Sequence, residues 1–439
     1  MPASDLGTQD MDLRKLTNGS HHPEEPIMIK RLCTFAAAVL AMTVATPSIG
    51  AHADVKGNAQ PTLLGRAVLP VETYASGPPS GTLLPAGTVN GITFPLPSQP
   101  VEGFSAIVAG RHRGEYLAMP DNGFGAKANS RDFLIRAYYI RPDFKTAKGG
   151  SGEVDVDLNE FVQFRDPDGL IGFPIVNEGT TERSLTGGDI DPESLQRGID
   201  GDLWVGDEFG PWILHFDATG KLLDPPFAAP GGLRSPNNPH LRGAAATQPN
   251  SRGFEAMAIS PDGKYLFPAL EGATVAELGT TRRHIFEFSV RDEAFTGREW
   301  LYQTEQPGYL VSDMAALDRH HLVVIERDGG LGLNALFRKV YVVNLTDADA
   351  GGSLVKTEAV DLTAVPDPDR VSLPPVHNGD VGLGNPYRVT CESIEAIHQI
   401  AGNQLLLGCD NNFPNAGRNP GRADDSEFIV VKVPGLRGE

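Results

Sequence analysis

Carboxylates recur through this chain at fixed places in a repeated pattern of short strands. An acid opens an apolar strand, a turn follows, and a second apolar strand ends in another acid. The opening set is Glu102, Glu193, Glu255, Asp313 and Glu395, and the closing set is Asp121, Asp207, Glu208, Glu271, Glu326 and Asp410. Carboxylates gathered in one place raise one another's pKa, and a cation relieves that repulsion. Oxygen-only ligands suit a hard cation, Ca²⁺ first and Mg²⁺ second. Arg252 stands three residues before Glu255, and Arg327 stands beside Glu326. A planar guanidinium suits bidentate contact with phosphate or carboxylate. Taken singly, each acid is equally well read as a strand-end residue bonding loop amides. The recurrence is what points to chemistry.

The elements that would position these acids are strands. Residues 191–220, "DPESLQRGIDGDLWVGDEFGPWILHFDATG", hold three apolar runs too short for helices, separated by Gly-Asp and Thr-Gly turns. The same grammar returns in "EGFSAIVAGRHRGEYLAMPDNGFG", "RGFEAMAISPDGKYLFPALEG", "VSDMAALDRHHLVVIERDGG" and "ESIEAIHQIAGNQLLLGCDNNF". Steps between opening acids are 91, 62, 58 and 82 residues, longer than the usual ~40–50 residues per propeller blade. The expectation is an all-β fold, a single β-propeller of five or six blades with long loops. The last unit lacks a fourth strand, and the apolar run 63–71 would supply it, so that N- and C-terminal strands close the ring. In such a fold equal positions of successive first strands face the axis. The opening acids would then form a ring, with the closing acids at the same mouth.

Composition narrows the partners. The chain has 439 residues, 37 basic and 56 acidic side chains and a formal net charge of −19. That disfavours nucleic acid or an anionic membrane as the main partner. The sequence has no H-E-x-x-H, G-x-S-x-G, P-loop or G-x-G-x-x-G pattern in a fitting context. A basic start at residues 28–31, an apolar run at 32–44 and Ala51-His52-Ala53 form a secretory signal peptide over residues 28–53. Residues 1–27 read as an upstream extension, 54–100 as an irregular segment carrying the closing strand, and 101–435 as the propeller. Cys33 falls in the signal, and Cys391 and Cys409 flank a hairpin-like stretch, so a disulfide between them is expected in an oxidising compartment.

As a set, "EGFSAI", "LAMPDNG", "DPESL", "LWVGDEFGPWILHFDATG", "SPDGKYLFPALEG", "LVVIERDGG" and "LLLGCDNNF" resemble the secreted phytase-like family, described as having esterase-like activity of phytase. The resemblance spans about residues 100–433. It implies a β-propeller and a hydrolase of phosphate esters or related esters. It is also similar to β-propeller phytases, in which calcium at an acidic channel mouth binds substrate phosphate and activates water. Together, residues and resemblance lead us to expect a secreted, monomeric, Ca²⁺-dependent hydrolase of a small-molecule ester. Its metal ligands would come from Glu102, Glu193, Glu255, Asp313, Glu395, Asp121, Asp207, Glu271, Glu326 and Asp410. Glu193, Glu255, Arg252 and Arg327 would carry the catalysis. The alternatives are a calcium-stabilised binding module without catalysis and, more weakly, a lactonase-like metal hydrolase. N-terminal sequencing of secreted material should find a chain that begins near Asp54; a start near residue 1 would overturn the signal-peptide reading.

Overall fold

The computed structural model describes residues 59–436. The signal peptide expected at 28–53 and the extension at 1–27 lie outside the described residues. Among the described residues the helices are four three-residue 3₁₀ turns, and the rest of the regular structure is strand. Three sheets have four strands each. One runs Pro192–Arg197, Leu203–Asp207, Trp212–Phe216, Phe227–Ala228. The next runs Phe254–Ile259, Tyr265–Leu270, Arg282–Ser289, Ala294–Gln303. The third runs Leu310–Ala316, His321–Arg327, Arg338–Ala348, Leu354–Asp361.

Apart from two two-stranded ribbons (Tyr74–Ala75 with Gln99–Pro100, and Gly87–Val89 with Ile92–Phe94), the remaining strands form one sheet of eight, made of two antiparallel groups of four. One group runs Phe104–Ala109, Tyr116–Pro120, Arg136–Asp143, Glu153–Gln163. The other runs Ser393–Ala401, Gln404–Asp410, Ser426–Lys432, Thr62–Leu69. The halves meet at a single parallel pairing, Val68 with Glu153. Thr62–Leu69, from the N-terminal side, thus lies beside Ser426–Lys432 from the C-terminal side. The first strands of successive groups pack against one another, and Ser393–Ala401 packs beside Phe104–Ala109. This radial packing of antiparallel sheets is a β-propeller.

Local sequence explains the strands. Their centres are apolar on both faces, as in Phe254–Ile259 and Leu203–Asp207, because each sheet is sandwiched between neighbours. Trp204, Ile213, Phe254, Met257, Leu266 and Phe288 fill one interface between sheets; Ala256, Ala258, Phe267, Met314 and Val324 fill the next. The turn "SPDG" reverses the chain because Gly263 takes φ +68°, a left-handed geometry that glycine accepts without a Cβ penalty. Ser260 Oγ closes that turn by accepting from the Lys264 and Tyr265 amides.

Two strands of the four-stranded groups escaped the sequence reading, and so did four short strands in the segment read as irregular, where Ile92, Phe94 and Leu96 are buried. Phe227–Ala228 is only two residues long and follows two prolines. In Leu354–Asp361 half the residues are polar and only Leu354 and Val360 are buried, so its apolar signal is weak.

Every first strand carries an irregularity at the same level. The registers shift between Phe104 and Ala106, Pro192 and Ser194, Phe254 and Ala256, Val311 and Met314, and Ile394 and Ala396. A bulge of this kind bends the strand and re-aims the extra side chain. Cys391 and Cys409 form a disulfide with Cα atoms 6.0 Å apart, pinning the chain just before Ser393–Ala401 to the neighbouring strand. In the chain-entropy model a bridge closing so short a loop contributes on the order of 3 kcal/mol. The unfolded, unreduced mature protein should therefore titrate no free thiol, and reduction should lower its denaturation midpoint; two reactive thiols would contradict the bridge.

Candidate functional site

The bulges decide which side chains converge. Their extra residues are Ser105, Glu193, Glu255, the pair Ser312–Asp313, and Glu395. One residue beyond or at the facing end of each second strand stand Asp121, Glu208, Glu271, Arg327 and Asp410. Glu193, Glu255 and Glu395 of the first series and all five of the second meet at a polar cavity of about 300 Å³. Nine carboxylates line it: Asp121, Asp191, Glu193, Glu208, Glu255, Glu271, Glu392, Glu395 and Asp410. Two guanidiniums, Arg252 and Arg327, face them. Gly103 closes the wall, where a Cβ would stand 3.2 Å from Asp121 Oδ1 and 3.4 Å from Asp410 Oδ1.

The arginines serve one arc of the ring. Arg327 Nη2 donates to Glu395 Oε1 at 2.6 Å and to Glu271 Oε1 at 3.1 Å, while its Nε donates to Ser312 Oγ at 2.6 Å. Arg252 Nη1 donates to Glu271 Oε2 at 2.6 Å. The opposite arc holds Asp191, Glu193 and Glu208, and among the described residues none of these three forms an ion pair. Single amides serve them instead: Asn122 Nδ2 donates to Asp191 Oδ1 at 2.7 Å, and the Gly253 N–H donates to Glu208 Oε1 at 2.8 Å.

Three groups offer carboxylate oxygens all within 4.8 Å of one another: Asp191, Glu193 and Glu208; Glu193, Glu255 and Glu395; Glu208, Glu255 and Glu271. The donor set is oxygen only, which fits a hard cation rather than a thiolate- or imidazole-seeking metal.

Burial pushes the carboxyls of Asp191, Glu193, Glu208, Glu255 and Asp410 well above their ordinary range. Neighbouring acids add to it, Glu255 acting on Glu193, Glu271 on Glu208, and Glu395 on both Glu255 and Asp410. Asp121 is pushed up to about 7, by burial first, against the opposing Gly123 N–H. Glu271 is raised because burial outweighs its two arginines. Burial would lower the Arg327 guanidinium, but Glu395, Glu271 and Glu255 outweigh it and hold the charge in place.

Of the ten acids expected as ligands, six share the cavity, Glu193, Glu255, Glu395, Asp121, Glu271 and Asp410, and Glu208, expected at the same mouth, joins them. Four others lie elsewhere. Glu102 precedes its strand by two residues and accepts from Asn411 Nδ2 at 2.9 Å and Ser426 Oγ at 2.8 Å; Ser105 holds its place at the bulge. Asp313 accepts from the Met314 and Ile397 amides, tying two first strands together. Asp207 accepts from the Asp191 and Gly210 amides behind the site. Glu326 bonds Tyr302, the Glu305 amide and Lys356 on the other side of its strand; its neighbour Arg327 faces the cavity. Asp191 was missed, although it stands two residues before Glu193, a spacing that returns both side chains to one side of the chain.

The raised carboxyls set a sign for stability. A group whose folded pKa lies above its unfolded value penalises the native state once the pH climbs through the folded value. In chelator the melting temperature should fall as the pH rises through about 7, the value of Asp121, and calcium should abolish that fall. A melting temperature flat with pH in chelator would show that the acids are not held in this way.

A family model described as phytase-like, esterase-like activity of phytase, matches residues 99–413. An uncharacterized secreted protein of Arthroderma benhamiae is 23% identical over 261 residues, covering 48% of this chain and 49% of that protein. The chain thus spans about half the length of that curated relative. Similar solved structures include a luciferin-regenerating enzyme (10% identity, TM-score 0.37, 78% of this chain and 81% of that one). A GH43 β-1,3-galactosidase is also similar (10% identity, TM-score 0.39, 80% and 59%). The disulfide suits an oxidising compartment, and like that relative the chain is secreted. With the match running from just before Phe104–Ala109 to just past Asp410, over more than half of the chain, the chain belongs to the phytase-like family, described as having esterase-like activity of phytase.

Proposed function

We propose that this protein is a calcium-dependent hydrolase of phosphate esters or related esters, built on a five-bladed propeller closed by strand Thr62–Leu69. The blade count rests on five groups of four strands. The propeller domain is taken as residues 101–435, with 54–100 as the segment that brings in the closing strand. The partner is a small-molecule ester, and the protein acts as a monomer.

One observation carries the functional reading: a cavity where nine carboxylates, seven of them buried, meet two guanidiniums. Such an excess of like charge in a low dielectric is costly without a cation. Asp191, Glu193 and Glu208 are the first-choice ligands, since their oxygens cluster without an arginine partner. Glu255, Glu271, Glu395, Asp121 and Asp410 complete the acidic wall. Calcium, when bound, would polarise an ester's phosphoryl or carbonyl oxygen and acidify water.

The chain's own groups supply the rest. Arg252 and Arg327 face the cavity with guanidiniums fixed by Glu271, Glu395 and Ser312. They are set to offset negative charge developing on the ester. Glu193 and Glu255 have carboxyls raised well above their ordinary range, by burial first and then by neighbouring acids, so each holds a proton more readily than an exposed carboxyl does.

The experiment is a hydrolysis panel of phosphate, carboxyl and lactone esters, with calcium and with chelator, on the wild type and on Glu193→Gln and Glu255→Gln. Each substitution keeps the shape and removes a charge. Calcium affinity measured by calorimetry should fall in both, more for Glu193→Gln. Hydrolysis of a phosphate ester should fall by a factor on the order of 10² or more, the usual weight of a positioned acid or base. Calcium binding with no hydrolysis of any ester would leave the non-catalytic binding module, turnover of lactones alone would leave the lactonase-like reading, and no calcium binding would end the metal hypothesis.

A further inference from the structure

A second, larger groove of about 840 Å³ adjoins the acidic cavity and shares Gly125 and Ser251 with it. Its character is different. Ile175, Val176 and Phe209 give it apolar walls, and its charged groups are Lys127 and Arg131 with the exposed Glu178 and the buried Asp189. Lys127 Nζ lies 5.0 Å from the centroid of the Phe209 ring, and its polar contact is the Asn237 carbonyl at 3.3 Å. Among the described residues neither Lys127 nor Arg131 forms an ion pair, although the chain carries a formal net charge of −19.

The one buried acid of the groove, Asp189, is already committed. Its oxygens accept from the Val176 amide at 2.7 Å and from the Thr186 amide and hydroxyl at 2.9 Å each. Burial pulls the Lys127 ammonium below its ordinary value, against the more distant Asp207, Asp189 and Asp191. An anion in the groove would relieve that cost. Gly188 keeps the floor low under Arg131; a Cβ there would stand 2.7 Å from Arg131 Cγ.

We infer that this groove is a binding subsite for the body of the ligand, and that it selects a flat or apolar group bearing one negative charge. An acidic cavity next to an apolar groove that holds two cations without ion-pair partners sorts one molecule into two parts. The ester would sit on the acidic side, and an anionic aromatic or acyl portion would sit between Lys127, Arg131 and the Phe209 wall. The inference deepens the hydrolase reading and rests on it for the word ester, but its test needs no turnover.

The probe is 8-anilinonaphthalene-1-sulfonate, an aromatic anion, titrated by fluorescence against the folded, calcium-loaded protein. N-phenyl-1-naphthylamine, which has the rings without the sulfonate, is the control. The melting temperature is recorded for each variant. Lys127→Gln and Arg131→Gln should each weaken binding of the sulfonate by about fivefold or more, the weight of one desolvated cation contact. Lys127→Arg should retain it, and the neutral control should bind more weakly and ignore both changes. Equal binding of the two probes, or unchanged sulfonate affinity in a folded Lys127→Gln protein, would overturn the inference. If the sulfonate depends on Lys127 while no ester is hydrolysed, the subsite stands and the hydrolase reading falls. Hydrolysis without such dependence has the reverse meaning.

Discussion

Everything at the centre of this molecule answers to the repulsion among carboxylates, most of them buried, packed around one cavity. Nine acids and two arginines leave a large excess of negative charge where water is scarce. At an effective dielectric near 20, two unit charges 4 Å apart still interact by about 4 kcal/mol. The fold therefore has to hold the acids apart, protonate them or supply a cation. Two of these devices are built into the fold. The first strands fix the acids in place, and burial shifts their carboxyls upward, so that they give up protons less readily than exposed acids.

The bulge is the local device that makes the convergence possible. A regular strand sends alternate side chains to opposite faces, both of which are here buried against neighbouring sheets. An extra residue at the axial end turns one side chain out of that alternation and toward the cavity. Because the same irregularity recurs in all five first strands, the ring is a property of the repeat and not of any one loop. Its members still vary. Ser105 and Arg327 occupy places held elsewhere by acids, and each lowers the negative charge of the ring. Arg327 does so directly by bridging Glu271 and Glu395.

Much of this was legible in the sequence, and the failures have a common cause. Alternating short strands, Gly-containing turns and acids at strand ends identify the repeat. Glu193, Glu255 and Glu395 converge as the repeat implies, because each sits at a bulge of its own strand. Glu102 was misread because an acid near a strand start was equated with an acid at the bulge; Asp313 does belong to its bulge, but its carboxylate is taken up by the Met314 and Ile397 amides. A bulge shifts phase by one residue and leaves no mark in composition, so Ser105 could not be preferred to Glu102 from spacing alone. The same limit separates Glu326 from Arg327, adjacent residues on opposite faces of one strand. Lys127 and Arg131 lie in a loop whose partners, Phe209 and Asn237, are some eighty residues or more away in the chain. No local pattern announces such a meeting.

The placement of the arginines then gives the cavity a direction. Arg252 and Arg327 neutralise the arc around Glu271 and Glu395, and the arc of Asp191, Glu193 and Glu208 is left without an ion pair. A uniform ring of acids would spread a cation's choices over several equivalent positions. A half-neutralised ring makes one side the better ligand set and puts fixed guanidiniums across from it. A bound anion between the two sides would meet positive charge from both. The unpaired arc is also the side on which Asn122 contacts Asp191, and the loop after Asn122 carries Gly125 and Lys127 into the neighbouring groove. Charge asymmetry within the ring and the charge contrast between cavity and groove therefore belong to one gradient, running from the arginines through the acids to Lys127.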